Sequence, residues 1–318
     1  MTIPEATEMP SFQSQSQRQS QGPAPLIAPA RYRIEHTTRY AYAAPVAQSW
    51  QLAHLTPREL PWQRLLWHVL QIDPQPDERQ SAIDSFGNSV VHFALHGAHR
   101  HLRVQMQCMV EVAERPSPGA EPLPWEAVRE LLRQGAPVHD LSAAQLCEPT
   151  LRLPLSDAAR AYAAPLFAPG RDWLEAVGAL MASIHEDFEF DPEATTVSTS
   201  VDEVLQHRRG VCQDFAHLML ACLRAHGLPA RYVSGYLLTD PPPGRPRLMG
   251  VDASHAWVSA YAPGFGWVDF DPTNDQLADA RYVTLAWGAD FADVVPLRGV
   301  ILGGGEQALD VSVSVMPA

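Results

Sequence analysis

The stretch Arg209-Gly210-Val211-Cys212-Gln213-Asp214-Phe215 places a cysteine directly after a glycine turn and at the start of an apolar-periodic segment. The apolar period continues up to a Gly-Leu-Pro terminator at 227–229, which predicts a helix that begins at Cys212. Unpaired N–H groups at a helix N-terminus favour a thiolate over a thiol. Cys212 is therefore a candidate nucleophile, and Gln213 and Asp214 are candidates to contact the substrate or to support the site.

A histidine and a carboxylate follow the cysteine along the chain. His255 begins one predicted strand, and Asp271 ends the next one. The connection at 263–266, Pro-Gly-Phe-Gly, has the glycine that a tight return requires, so antiparallel pairing would bring His255 and Asp271 to the same end of the two strands. Cysteine, histidine and aspartate in this arrangement suit a thiol triad.

Three neighbouring residues have two interpretations each. Asp269 is a rival to Asp271 because strand alternation puts both on one face, but Asp271 is favoured since it ends the strand beside Pro272. Trp257 and Tyr236 lie on predicted strands and could line an acyl groove. Aromatic residues on strands also fill cores, so both interpretations stay open.

Composition and charge limit the classes of function. The chain has 318 residues, enough for two domains, and a net charge of -13, which argues against a nucleic-acid partner. The four cysteines have no Cys-x-x-Cys spacing, so we predict neither a disulfide framework nor a zinc knuckle, and we expect no metal or other cofactor. Without a long apolar run, we expect no membrane association and a cytoplasmic location.

The sequence predicts an α+β fold in four parts. A Ser-, Gln- and Pro-rich disordered tail covers 1–29, and a β-rich domain covers 30–116, where apolar residues alternate most clearly over 102–112. A helical connector follows at 117–168, with short helices at 125–134 and 156–167. The catalytic core, 169–318, has helices after Asp172 and after a capping box at 200–203, the helix of Cys212, and strands at 230–238, 255–261 and 267–270. A proline-rich loop at 240–247 could border a substrate cleft.

Four blocks of this core resemble the bacterial transglutaminase-like family. They lie, in family order, at 210–216, 231–236, 253–257 and 266–273. The N-terminal part resembles the β domain of that family at 32–46, at 86–88 and around Val104, and the segment 293–315 resembles its closing strand. The resemblance implies a papain-like core with Cys212 as nucleophile, His255 as base and acid, and Asp271 as the residue that orients the imidazole.

The resemblance also implies acyl transfer on a peptide or protein substrate. We expect hydrolysis of peptide or glutamine amide bonds ahead of amine transfer, with a protein-glutamine transamidase as the alternative. A second class is a protein without activity, in which Cys212, His255 and Asp271 bind zinc or support a binding module. The sequence does not indicate an oligomeric state.

Overall fold

The computed structural model describes residues 28–116, 121–134, 142–239 and 254–318. Three sequence predictions fall wholly or mostly outside these residues: the tail at 1–29, the start of the connector at 117–120 and the loop at 240–247. Among the described helices, none combines the length and apolar character needed to cross a membrane. The chain has two main antiparallel sheets, one of seven strands and one of five. The long helices lie between them in sequence and pack beside the five-stranded sheet. The α+β prediction is therefore confirmed.

The N-terminal sheet is organised around one strand of 24 residues, β1 (Ala30–Ala53). The other strands before the helices are β2 (Gln63–Asp73), β3 (Glu78–Ile83), β4 (Ser89–Leu95) and β5 (His99–Val112). Along this sheet the order is β2-β5-β1-β4-β3. The first half of β1 pairs with β5, and its second half pairs with β4 after an irregularity in register between Ala41 and Val46. The even positions of β5 from Leu102 to Val112 are buried, as the alternation predicts.

Two C-terminal strands complete this N-terminal sheet. They are β13 (Leu297–Gly303) and β14 (Gln307–Pro317), and both pair with β1. The register sets Val313 opposite His36 and Val315 opposite Ile34, so both valines are buried in the N-terminal core. The segment assigned to the catalytic core by sequence therefore closes the other sheet. Alternation marks a strand but does not specify its partner.

Within the residues that the structure describes, several helices precede the helix that begins at Cys212, four of them with both ends defined. They are α1 (Trp125–Arg133), α2 (Asp157–Ala163), α3 (Trp173–Asp187) and α4 (Val201–His207). The predicted capping box begins α4: Ser200 Oγ accepts from the Glu203 N–H at 3.3 Å, and Glu203 Oε2 accepts from the Ser200 N–H at 2.8 Å. Asp172 caps α3 in the same way, with Oδ1 at 3.1 Å from the Glu175 nitrogen.

The nucleophile helix, α5 (Cys212–Ala225), packs against a sheet of five strands. A short parallel pair, β6 (Glu189–Phe190) and β7 (Arg209–Gly210), leads into it, and the sheet contains β8 (Ala230–Leu237), β9 (Ser254–Ala262), β10 (Gly266–Asp271), β11 (Gln276–Leu277) and β12 (Tyr282–Gly288). The strand order is β11-β10-β9-β8-β12. Every residue of α5 from Asp214 to Ala225 is buried, so only Cys212 and Gln213 are partly exposed. A helix that is covered on all sides presents just its first turn to a ligand.

The two sheets are joined by side-chain hydrogen bonds to backbone. Gln63 Nε2 donates to the Thr284 carbonyl at 2.8 Å, and Gln63 Oε1 accepts from the Thr284 N–H at 2.8 Å. Asn88 makes the same double contact with the backbone of Trp287. Because Gln63 and Asn88 are fully buried, these bonds fix the position of β12 against the N-terminal sheet.

Candidate active site

Cys212 owes its position to a tight turn held by Asp214. The Asp214 Oδ2 atom accepts from the Val211 N–H at 2.9 Å and from Thr195 Oγ1 at 2.6 Å. A Cβ on Gly210 would lie 2.8 Å from this oxygen, so the approach of the carboxylate requires glycine. Burial raises the pKa of Asp214, although its two hydrogen bonds partly offset that effect. Asp214 therefore supports the turn, and its side chain is buried.

The first turn of α5 leaves donors available beside the thiol. The Val211 carbonyl accepts from the N–H groups of Asp214 and Phe215, at 2.9 and 3.1 Å. The N–H groups of Cys212 and Gln213 precede these, and a helix provides them with no acceptor. Cys212 is half-buried, and the Gln213 side chain beside it is partly exposed. A substrate carbonyl at Cys212 would meet these donors.

His255 is held by Asp271. The His255 Nε2 atom lies 2.7 Å from Asp271 Oδ2 at neighbouring ends of β9 and β10, where Asp271 is fully buried and the His255 side chain is 11% exposed. Cys212 is the other group that acts on His255, and its hydrogen-bonding and charge contributions raise the pKa of that histidine. Since Asp271 occupies Nε2, Nδ1 is the ring nitrogen that can serve the thiol. The structure thus brings Cys212, His255 and Asp271 together, whereas Asp269 forms an ion pair with Arg115.

The charges of the two partners keep His255 protonated. Burial lowers the pKa of His255, but hydrogen bonds and charge from Asp271 and Cys212 outweigh it, and the pKa rises to about 10. Burial raises the pKa of Asp271, but the bonds and charge of His255, together with donors from Tyr282 and Asn274, bring it below the ordinary value. An imidazolium at neutral pH is the counter-ion that a thiolate needs.

Two residues that sequence reasoning missed complete the carboxylate site. Tyr282 OH donates to Asp271 Oδ2 at 2.6 Å, and Asn274 Nδ2 donates to the same oxygen at 2.7 Å. Asn274 directly follows the block at 266–273, and Tyr282 begins the almost continuously apolar stretch of β12. A short apolar run rich in aromatic and β-branched residues could have indicated a strand at 282–288, but not the contact of its first side chain with Asp271.

The two candidate groove residues are both fully buried. The Trp257 ring stacks on His255 with centroids 6.1 Å apart and meets Tyr282 edge-on at 5.3 Å. Tyr236 OH hydrogen-bonds His36 Nδ1 of the N-terminal sheet at 2.8 Å. Trp257 therefore supports the imidazole from below, and Tyr236 links the two sheets. Neither side chain forms the wall of an open groove.

Across the part of the chain that the structure describes, no three His, Cys, Asp or Glu side chains are grouped as a metal site would require. The triad itself illustrates why. Both Asp271 oxygens already accept hydrogen bonds, with Oδ1 bonded to the N–H groups of Thr273 and Asn274. A carboxylate engaged in this way has no lone pair directed at a cation beside Cys212.

Comparison with known families matches both units of the chain. The model of the bacterial transglutaminase-like N-terminal region matches residues 32–111, and that of the transglutaminase-like superfamily matches residues 160–272. The second match contains Cys212, His255 and Asp271.

Relatives and a solved structure agree with these matches. The uncharacterised protein Rv2569c from Mycobacterium tuberculosis is 44% identical over 302 residues, which cover 92% of this chain and 95% of the relative. A protein-glutamine gamma-glutamyltransferase from Pseudomonas aeruginosa is 37% identical over 103 residues, 30% of this chain and 15% of that protein. A candidate cysteine protease from Cytophaga hutchinsonii has the same fold, with a TM-score of 0.70, 21% identity and 91% coverage of both chains. The chain therefore belongs to the bacterial transglutaminase-like family.

Proposed function

We propose that this protein is a thiol-dependent hydrolase that cleaves peptide or glutamine amide bonds through an acyl-enzyme on Cys212. The observation that carries the proposal is the position of His255, which interacts with the buried Asp271 carboxylate on one side and with Cys212 on the other. This arrangement supplies a nucleophile, a proton donor and a fixed orienting group.

The reaction would proceed in two steps. The Cys212 sulfur attacks the amide carbon, and the N–H groups at the start of α5 stabilise the oxyanion. His255 gives its proton to the leaving nitrogen as the C–N bond breaks, which leaves a thioester and a neutral imidazole. Water then gives a proton to His255 and attacks the thioester, so the acid product leaves and the thiolate and imidazolium return.

Selective alkylation tests the nucleophile. Burial raises the pKa of Cys147 to about 11 and that of Cys108 to about 12, and burial raises the pKa of Cys222 as well, so these thiols stay protonated at neutral pH. We expect iodoacetamide to label Cys212 about ten-fold faster than free cysteine at pH 7. Peptide mass spectrometry would locate the label.

Two variants provide the controls. Cys212→Ala should lose amide hydrolysis, and Cys147→Ala, at a partly exposed thiol outside the triad, should retain it. Initial labelling at another cysteine, or an active Cys212→Ala variant, would contradict the proposal. Stoichiometric zinc in the purified protein, lost in Cys212→Ala, would favour the non-enzymatic alternative instead.

Amine transfer is the second candidate activity. It is favoured by the similarity to the Pseudomonas aeruginosa gamma-glutamyltransferase over 103 residues. Glutamine-containing peptides incubated with and without a primary amine would separate the two activities by mass spectrometry. Cleavage or deamidation in both samples supports hydrolysis, whereas incorporation of the amine as the main product supports transfer.

A further inference from the structure

A cavity of about 730 Å³ lies between the N-terminal sheet and the five-stranded sheet β11-β10-β9-β8-β12. Trp62 and Arg115 line it from the first unit, and Arg231, Trp267, Asp269 and Trp287 line it from the second. The triad residues are absent from its described lining. Glu114 and Leu277 at its edge are exposed, so the cavity opens to solvent.

Strand alternation directs Arg231 into this cavity. Its neighbour Tyr232 contacts His217 of α5, with ring centroids 5.2 Å apart. Successive side chains of a strand point to opposite faces, so Arg231 points away from α5. Arg231 lies opposite Ser259 in the β8–β9 ladder, and Ser259 lies opposite Asp269 in the β9–β10 ladder. Arg231 and Asp269 therefore share the face that the cavity covers.

Arg231 is buried and forms no ion pair with a described residue. It is only 8% exposed, and its guanidinium lies 4.0 Å from the Trp267 ring centroid and 3.6 Å from that of Trp287. Stacking covers the two faces of the guanidinium, but the N–H groups at its edge remain free to donate hydrogen bonds. Its Nε has no hydrogen-bond partner, and no carboxylate among the described residues forms an ion pair with it.

Other donors around the cavity are also unused. Arg115 Nε, Arg115 Nη2 and Trp62 Nε1 are buried with no hydrogen-bond partner in the described structure. The acidic groups nearby are engaged or exposed: Asp269 accepts from Arg115 and from Trp257 Nε1, Asp279 pairs with Arg281, and Glu114 faces solvent. Buried donors without acceptors destabilise a protein. Four buried donor atoms around the cavity, Arg231 Nε, Arg115 Nε, Arg115 Nη2 and Trp62 Nε1, therefore have no acceptor among the described residues, although Asp269, Asp279 and Glu114 also line it.

The lowered pKa of Arg231 is consistent with these unpaired donors. Burial lowers the pKa of Arg231 to about 9; Asp269 opposes the decrease, and Arg58 and Arg115 add to it. An anion in the cavity would reverse this effect because it would supply the missing counter-charge.

We propose that the cavity binds a small carboxylate that carries an aromatic or aliphatic group. The carboxylate accepts from the edge of Arg231 and from Arg115 and Trp62. The apolar group contacts the aromatic rings and the side chains of Leu60, Phe265 and Leu277, which also line the cavity. This site is separate from the triad, so the inference does not depend on the proposed hydrolase activity.

Calorimetric titration of the full chain with benzoate, benzamide and inorganic phosphate tests the site. Benzoate should bind, and benzamide, which has the same ring without the charge, should not. Arg231→Met keeps an unbranched side chain between the tryptophans and should weaken benzoate binding by about ten-fold or more. The matched control is Arg39→Met, which replaces an exposed arginine that pairs with Asp310 on the N-terminal sheet. This variant should bind benzoate as the parent does.

Trp62→Phe provides a second variant that removes the indole N–H and reduces the ring system to a phenyl group, and it should weaken binding by a few-fold. It serves the test even if Arg231→Met does not fold. Three results would overturn the proposal: no benzoate binding to the parent protein, equal binding of benzamide or phosphate, or benzoate binding that neither variant weakens. Cys212→Ala should bind benzoate normally, so a failure of the proposed hydrolase function would remain distinguishable.

Discussion

Asp271 is the most densely bonded side chain of the triad. Its two oxygens accept five hydrogen bonds, from the His255 ring, the Tyr282 hydroxyl, the Asn274 side chain and two backbone N–H groups. These donors fix the carboxylate and, through it, the plane of the imidazole. In the proposed reaction, Asp271 would therefore orient His255 and hold its positive charge.

The replacement Asp271→Asn tests this role through the pH profile. His255 has a pKa of about 10, so it can protonate a leaving amine at neutral pH and loses that ability as the pH rises through 10. Without the carboxylate charge the imidazolium is lost at lower pH. We expect the alkaline limb of kcat/KM to move to lower pH and activity at neutral pH to fall by about 100-fold or more.

Asp275→Asn is the matched control because Asp275 is exposed in the same turn and has a positive φ that asparagine tolerates. The alkaline limb of kcat/KM for Asp275→Asn should lie at the same pH as that of the parent. An Asp271→Asn profile that coincides with that of the parent would contradict the role of the carboxylate charge.

Among the elements, β8 determines how closely β12 and the Trp257 ring can pack next to His255. A Cβ on Gly235 would lie 2.1 Å from the Val283 carbonyl oxygen and 2.5 Å from the Trp257 ring. The missing side chain therefore lets β12 and the indole approach β8, and the indole in turn supports His255. Gly178 in α3 differs, because a Cβ there would meet nothing within 4 Å.

These two glycines give opposite predictions. Gly235→Ala forces Trp257 or β12 to move, so we expect a loss of about 1–3 kcal/mol in the free energy of unfolding and roughly 100-fold in activity. Gly178→Ala lowers the entropy of the unfolded chain inside a helix and should stabilise the protein by about 0.5–1 kcal/mol. Urea denaturation and initial rates measure both. Equal stability of the two variants would contradict the packing at Gly235.

Across the whole molecule, a buried histidine joins the two sheets. His36 on β1 hydrogen-bonds Tyr236 on β8 and Thr38 on its own strand. Burial lowers the pKa of His36 to about 4, so the ring is neutral at ordinary pH. The unfolded chain binds a proton near pH 6.5, and the folded chain does so only near pH 4.

Stability should therefore fall as the pH decreases from 6.5 to 4. The contribution of His36 to this loss is roughly 3 kcal/mol, since each pKa unit corresponds to about 1.4 kcal/mol. His36→Asn, which can still hydrogen-bond Tyr236, should show a smaller loss over this range in denaturation curves. His101→Asn, at an exposed histidine, should keep the parent slope. A parent stability that does not change between pH 6.5 and 4 would contradict the burial of a neutral ring.

Features encoded by residues close together in sequence could be predicted, whereas contacts between residues distant in sequence could not. Cys212 and the His255–Asp271 pair could be predicted because a glycine, a helix start and a tight hairpin are encoded within a few residues. The partner of β14 and the bond from Tyr282 to Asp271 depend on strands distant in sequence, and pattern does not specify such pairing. The unpaired charge of Arg231 becomes evident only when both sheets are in place.

The pairing of β1 with β14 affects the order in which the molecule can be made. One edge of the first half of β1 stays without its partner until residues 307–317 have left the ribosome. During synthesis of the intervening chain, that row of free backbone groups can pair with another nascent polypeptide. Products that stop before β14 would therefore be prone to aggregate, and chaperones would have to shield this edge until β14 has been synthesised.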